Sequence, residues 1–259
     1  MDGFLRITSR DNALIKLVCA LQTSAKERKR NNLFVVEGLR VLKDLAENGV
    51  AFDKFIVSDS AAKRHEEDVQ SFAQNSKNNY ILPDSLFEKI ADTNSPQGML
   101  ALAKIPENSL EIDENGKYIA LENLSDPSNL GAISRTAEAL GVSGILISND
   151  SCDPYSPKVL RASMGTLLRM PVFVVNDLVG FIEKSKLKSY ACVVDSDALP
   201  INEADFSGGS VILIGNEANG LTDEIKSAAD KKVTIKMSGN AESLNAAAAA
   251  AIAIWEMVK

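Results

Sequence analysis

Histidine is almost absent. The one copy, His65, sits in the charged run Lys63-Arg64-His65-Glu66-Glu67-Asp68 and reads as a solvated helix residue, so any catalysis here is expected to proceed without a histidine base. Cys19, Cys152 and Cys192 are odd in number and scattered without metal-ligand spacing, which favours reduced thiols over a disulfide framework or zinc site, and no bound metal is expected. No apolar run approaches the roughly 20 residues of a membrane span. The N-terminal stretch MDGFLRITSRDN has no signal-peptide core, so a cytoplasmic protein with no membrane partner is expected. Neither a glycine-rich dinucleotide fingerprint nor a Walker loop occurs. The segment GNEANG at 215–220 lacks a glycine at its third position and a Lys-Ser/Thr ending, which removes kinase, NTPase and nicotinamide readings.

What is present is an ordinary globular composition over 259 residues, enough for one or two sizeable cores. The net charge of −7 argues against a nucleic-acid partner, yet it is unevenly spread. Residues 1–105 carry 15 Lys and Arg against 14 Asp and Glu, whereas residues 106–259 carry 13 against 21. Basic residues concentrate near the front, in the cluster Lys26-Glu27-Arg28-Lys29-Arg30. Such a cluster is either a solvated face or the electrostatic footprint of phosphate binding.

Along the chain, Asp11–Leu21 has helical apolar spacing and leads into the basic cluster as a loop. Strands are expected at Leu33–Val36, Phe55–Val57, Tyr80–Leu82 and Met99–Lys104, with helices at Gly38–Glu47, Ala62–Gln74 and Leu86–Ile90 between them. That alternation implies a small α/β domain over 1–105, and the polar stretch 106–116 reads as a linker.

From 117 to 259 a second set of strands is expected at Tyr118–Leu121, Gly144–Ile147, Val172–Val175, Ser189–Val194, Val211–Ile214 and Val233–Ile235. The helices between them make a mostly parallel sheet the expected result. Asn129 or Ser128 is expected to cap the helix that runs to Leu140. Leu244–Val258 is rich in Ala and apolar nearly all round, the signature of a buried helix, in a core or also at a subunit interface.

Three polar loops follow strands in this half: Asn123–Arg135, Gly215–Gly220 and Met237–Asn245. They offer amides, hydroxyls, a carboxylate and one Arg rather than a nucleophile-base pair. In order and content they resemble the three motifs of the SpoU/TrmH branch of the SPOUT methyltransferases. The first motif reads Asn123-Leu-Ser-Asp126-Pro127-Ser-Asn129-Leu-Gly131-Ala-Ile-Ser-Arg135-Thr136-Ala137. The second is Ile214-Gly215-Asn216-Glu217-Ala-Asn-Gly220-Leu, and the third Ile235-Lys-Met237 followed by Glu242-Ser243-Leu244-Asn245. The front region is similar to this family's ribosomal-protein-like substrate-binding domain through Ser9-Arg10-Asp11-Asn12, Ile15-Lys16 and Phe34-Val-Val-Glu37-Gly38.

The resemblance implies an α/β protein whose C-terminal parallel-sheet domain carries a deep trefoil knot and forms a homodimer through it. It implies transfer of a methyl group from S-adenosyl-L-methionine to a ribose 2′-hydroxyl of structured RNA, ribosomal RNA before transfer RNA. Cofactor contacts would fall at Gly215, Ile235 and Leu244, with Ile214 and Met237 beside them, largely through backbone groups. The implied catalytic set is Arg135, Asn129, Glu217, Ser243 and Asn245. The family's proposed role for the Arg is to help remove the hydroxyl proton; because a guanidinium keeps its proton, phosphate anchoring or stabilisation of alkoxide charge is physically easier. Glu217 would pair with Arg135, with a helix-capping carboxylate as the alternative, and Ser243 is equally an N-cap of the Ala-rich helix. RNA contacts are expected from Lys26, Arg28, Lys29 and Arg30, and from Lys158 and Arg161. A non-catalytic RNA-binding protein on this fold and an enzyme acting on a base nitrogen are the rival readings.

Overall fold

The computed structural model describes residues 3–107 and 111–259. Residues 108–110 of the expected linker lie outside the described residues. The chain forms two compact units, dividing after residue 107, with Tyr155–Gly165 belonging to the first.

The first unit contains β1 (Phe4–Arg6), α1 (Ala13–Thr23), α2 (Ala25–Asn31), β2 (Leu33–Glu37), α3 (Leu39–Glu47), β3 (Phe52–Ser58), α4 (Asp59–Arg64), α5 (Glu66–Gln74), β4 (Asn79–Leu82), α6 (Asp84–Phe87) and β5 (Met99–Lys104). Its sheet runs β1-β4-β3-β5-β2, parallel across β1, β4 and β3 and antiparallel across β3, β5 and β2. Leu14, Val18 and Leu21 of α1 pack with Val35, Ile56 and Leu102. Phe72 of α5 meets Phe52 and Phe55 edge-on. Helices therefore bury both sheet faces, and the strands read as continuous apolar runs.

Two local expectations change. The basic cluster is a helix, not a loop: Ser24 caps α2 by accepting from Glu27 N–H at 3.3 Å, and Lys, Arg and Glu are good helix formers. The single helix expected over 62–74 is two, α4 and α5, broken at His65, whose φ of −126° and ψ of 47° are not helical.

The later part of the chain supplies β6 (Lys117–Leu121), α7 (Pro127–Ala139), β7 (Gly144–Ser148), α8 (Pro157–Ser163), β8 (Val172–Val175), α9 (Leu178–Lys184), β9 (Lys188–Cys192), β10 (Leu199–Pro200), β11 (Ser210–Ile214), α10 (Asp223–Ala228), β12 (Lys231–Thr234) and α11 (Ala246–Val258). Helix α8, expected within the C-terminal domain, clusters with the first unit. Tyr155, Val159 and Leu160 are buried, the Tyr155 ring lies 5.3 Å from that of Phe34, and Arg161 pairs with Asp92.

The second unit is built on a seven-stranded, wholly parallel sheet ordered β10-β12-β9-β11-β6-β7-β8. Strand β11 enters between β6 and β9, both earlier in the chain, with Leu213 opposite Ala120 on one side and Ala191 on the other. Buried on both faces, its Val211-Ile212-Leu213-Ile214 run needs no polar alternation. Helix α11 packs on α7, and both helices bury small residues: Gly131, Ser134 and Ala137 on α7, Ala246, Ala250 and Ala253 on α11. Among the described residues, no helix is long and apolar enough to cross a membrane.

Candidate active site

The carboxyl ends of β6 and β11 carry the first two polar loops, at the edge where open parallel sheets present ligand-binding groups. Asp126, not Ser128 or Asn129, caps α7. Its carboxylate accepts from Ser128 N–H at 2.8 Å, and Pro127 fills the first helical position, where no donor is needed. That leaves the Asn129 side chain, 5% exposed, free to point inward.

The second loop is a closed hairpin. Asn216 and Gly220 exchange backbone hydrogen bonds of 3.0 and 2.9 Å, and Gly220 turns at φ 68°. The chain closes so tightly that a Cβ on Gly215 would fall inside the backbone of Gly220 and Leu221. Asn216 ties the hairpin to the first loop, donating to Asn123 O at 2.8 Å and Ser125 Oγ at 3.1 Å, while its own oxygen accepts from Ala218 and Asn219 N–H.

Glu217 completes the tie. One carboxylate oxygen accepts from Ser125 N–H at 3.1 Å; the other accepts from Asp126 N–H at 3.0 Å and Asn129 Nδ2 at 2.9 Å. Burial alone would raise this carboxyl, but the hydrogen bonds from Asn129 and the 125–126 backbone outweigh it and hold it below the usual range. The third loop joins through Asn245, whose Nδ2 donates to Asn129 Oδ1 at 3.0 Å while its oxygen caps α11 at Ala247 and Ala248 N–H. The wiring has one direction. An ionised carboxylate only accepts, so Asn129 must donate to it; its oxygen then receives from Asn245, whose oxygen is left for the helix.

Beside this chain lies a cleft of about 670 Å³ at the ends of β9, β11 and β12. Ile214, Gly215, Ile235, Met237 and Leu244, the five expected cofactor positions, all line it, as do Glu217 and Ser243. Val193, Val194 and Asp195 also line it, and no motif announced them; the signal was their position at the carboxyl end of a buried strand. The cleft thus joins apolar walls, among them a Val194 side chain 68% exposed, to four carboxylates against two lysines, Lys226 and Lys232. Apolar surface for an adenine ring and an excess of negative charge for a sulfonium fit the group that the motifs imply.

Several expectations about side chains change. Glu217 is engaged with Asn129 and backbone and does not pair with Arg135. Arg135 is exposed on α7 and, among the described residues, makes no hydrogen bond or ion pair; nor does it line the cleft. Its neighbour Glu138 is taken by Arg169, at 2.5 and 2.9 Å. Ser243 is not a helix cap, since Asn245 holds that position. Arg28 is only 4% exposed, with its guanidinium donating to Leu21 O at 2.5 Å and Gln22 O at 3.2 Å, so it closes the end of α1 rather than facing RNA. Arg161 is held by Asp92. Lys26, Lys29 and Arg30 are exposed on α2, Arg30 pairing with Glu27 at 2.7 Å, and Lys158 is exposed on α8.

No activated nucleophile stands here. Burial, and then the carboxylates Glu217, Asp126 and Asp153, push the Cys152 thiol up to about 12, and burial pushes Cys192 to about 11. Among the described residues no group of His, Cys, Asp and Glu could hold a metal ion. What the arrangement offers is placement: two loops and a helix N-terminus fixed beside a cleft that Ser243 lines.

Comparison with known proteins agrees with this geometry. Residues 116–255 match the SpoU rRNA Methylase family, and residues 12–101 match the MRM3-like substrate binding domain. The chain is 28% identical to the 23S rRNA (guanosine(2553)-2'-O)-methyltransferase RlmP of Bacillus subtilis, over 97% of this chain and 98% of the relative. It is 33% identical to the 23S rRNA (guanosine-2'-O-)-methyltransferase RlmB of Acinetobacter baylyi, over 67% of this chain and 74% of the relative. The AdoMet-bound rRNA methyltransferase from Sinorhizobium meliloti superposes with a TM-score of 0.87 at 26% identity, covering 98% of this chain and 97% of that one. With the methylase match spanning more than half of its length, the chain belongs to the SpoU rRNA methylase family.

Proposed function

We propose that the protein is an S-adenosyl-L-methionine-dependent methyltransferase acting on a ribose 2′-hydroxyl of ribosomal RNA in the cytoplasm. The observation that carries this reading is the Asn245–Asn129–Glu217 chain, which joins all three motif loops beside the cleft. Bound in the cleft, S-adenosyl-L-methionine supplies an electrophilic methyl on a sulfonium. The residues of this chain need only bind and orient. Ile214, Ile235, Met237 and Leu244 enclose the adenosine, and Glu217, Asn129 and Asn245 fix the loops, which makes them positioning residues. Ser243, whose hydroxyl has no partner among the described residues, hydrogen-bonds the ribose. Arg135 anchors a substrate phosphate and stabilises negative charge on the ribose oxygen as the hydroxyl passes its proton to water. The names of the relatives support ribosomal over transfer RNA. Offering both RNAs, unmodified, in one labelled-methyl competition tests this: label is expected in the ribosomal RNA, and label in transfer RNA alone would contradict the substrate assignment.

The exposed face of α2 is the proposed RNA contact of the front unit. Replacing Lys26, Lys29 and Arg30 together with Ala should lower the slope of log affinity against log salt by about 2 to 3, since each phosphate contact contributes about 0.7 to 0.9. An unchanged slope would remove α2 from the interface.

A homodimer and a trefoil knot belong to the same proposal. The knot is supported by the insertion of β11 between β9 and β6. The dimer is supported by an apolar stripe on α11, where Ala248 is exposed, Ile252 is 39% exposed and Trp255 is 56% exposed. Trp255→Glu is expected to shift the solution mass from twice the chain mass of 27.8 kDa to that of one chain. A variant still dimeric in sedimentation would place the interface elsewhere.

A further inference from the structure

Glu122 follows β6 directly, is 7% exposed, and is not part of the cleft wall. Its carboxylate is wholly committed to one residue, accepting from Thr222 N–H at 2.8 Å and from the Thr222 hydroxyl at 2.6 Å. Its own backbone N–H donates to Ile214 O at 2.9 Å. Glu122 thus grips both feet of the 215–221 hairpin, the residue before Gly215 with its backbone and the residue after Leu221 with its side chain. Thr222 in turn starts α10, its Oγ accepting from Ile225 N–H at 3.4 Å, and the first turns of α10 bring Asp223 and Lys226 to the cleft wall. A buried carboxylate with two donors cannot lose either cheaply, because the remaining charge stays out of water.

We infer that Glu122 is a positioning residue for the cofactor: acting through Thr222, it holds the Gly215–Gly220 hairpin and the start of α10 in the conformation that receives S-adenosyl-L-methionine. This rests on the cofactor reading above. Glu122 touches neither the cofactor nor the reacting atoms, so its loss should appear in cofactor affinity and KM, with kcat at saturating cofactor nearly kept.

The test uses the full chain and four variants: Glu122→Gln, Thr222→Val, the double variant and Thr222→Ser. Titration calorimetry with S-adenosyl-L-methionine and hydrogen exchange at the Ala218–Gly220 amides are the readouts. Glu122→Gln and Thr222→Val should each weaken binding about tenfold and speed loop exchange, while the α11 amides stay protected. The double variant should be no worse than the weaker single one, and Thr222→Ser, which keeps the hydroxyl, should bind like the parent. Binding within twofold of the parent in both single variants, or losses that add in the double, would overturn the latch. If Glu122→Gln fails to fold, Thr222→Val with its Ser control decides alone. If the parent itself does not bind the cofactor, the functional proposal fails, and the exchange readout still judges the latch: unchanged exchange at Ala218–Gly220 overturns it.

Discussion

Arg135→Ala is expected to lower kcat/KM for RNA by about 10²- to 10³-fold, the scale of removing one group that stabilises developing oxyanion charge. Cofactor affinity should stay within about twofold and unfolding free energy within about 0.5 kcal/mol, as for an exposed side chain without partners. The geometry supports this separation. Arg135 lines no part of the cleft, and the carboxylates that would otherwise claim it are occupied, Glu217 by Asn129 and backbone, Glu138 by Arg169. Arg135 is exposed on the helix that also carries Asn129, so its guanidinium is open to a phosphate or a developing alkoxide. Steady-state kinetics, calorimetry and thermal unfolding on one preparation check all three expectations. Loss of cofactor binding, or an unfolding midpoint lowered by many degrees, would make the Arg structural.

Gly215→Ala should act in the opposite place. The new methyl group has only the backbone of Gly220 and Leu221 to displace, and backbone cannot rotate away as a side chain can. The hairpin must open, moving Asn216 off Asn123 and Glu217 off the 125–126 backbone. S-adenosyl-L-methionine affinity is expected to fall at least about 100-fold, with about 1–3 kcal/mol of stability lost to overpacking. Gly239→Ala is the control: it lies in the third loop, and a Cβ there meets nothing within 4 Å. Equal binding by the parent and Gly215→Ala would show that the closed hairpin is not the binding conformation.

The parts legible in the sequence are those set by local pattern. Val211–Ile214, Tyr118–Leu121 and Gly144–Ile147 were readable as strands because burial on both faces makes apolar runs. The short β1 and β10 were not, being too brief to show any period. Helix α2 is hidden by its charges, which mask the spacing, and one of those charges, Arg28, turns inward to donate to the carbonyls at the end of α1. Helix α8 carries no mark of the unit it joins, since Val159 and Leu160 would suit either core. In the site, residue types were readable and their wiring was not. Motif order brings Asn129, Glu217 and Asn245 into one list, but which oxygen meets which amide depends on where two loops, 88 and 116 residues beyond Asn129, converge on it. Hence the expected Glu217–Arg135 pair gives way to Glu217–Asn129, and Glu122, which matches no motif role, escapes notice altogether.

The central claim is transfer to a ribose oxygen. Its most direct test is to incubate the protein with methyl-labelled S-adenosyl-L-methionine and ribosomal RNA lacking the modification, digest to nucleosides and identify the labelled product. Label in a 2′-O-methylnucleoside, absent when the target residue is replaced by its 2′-deoxy form, is the expected result. Label in a base-methylated nucleoside that survives the 2′-deoxy replacement would contradict it.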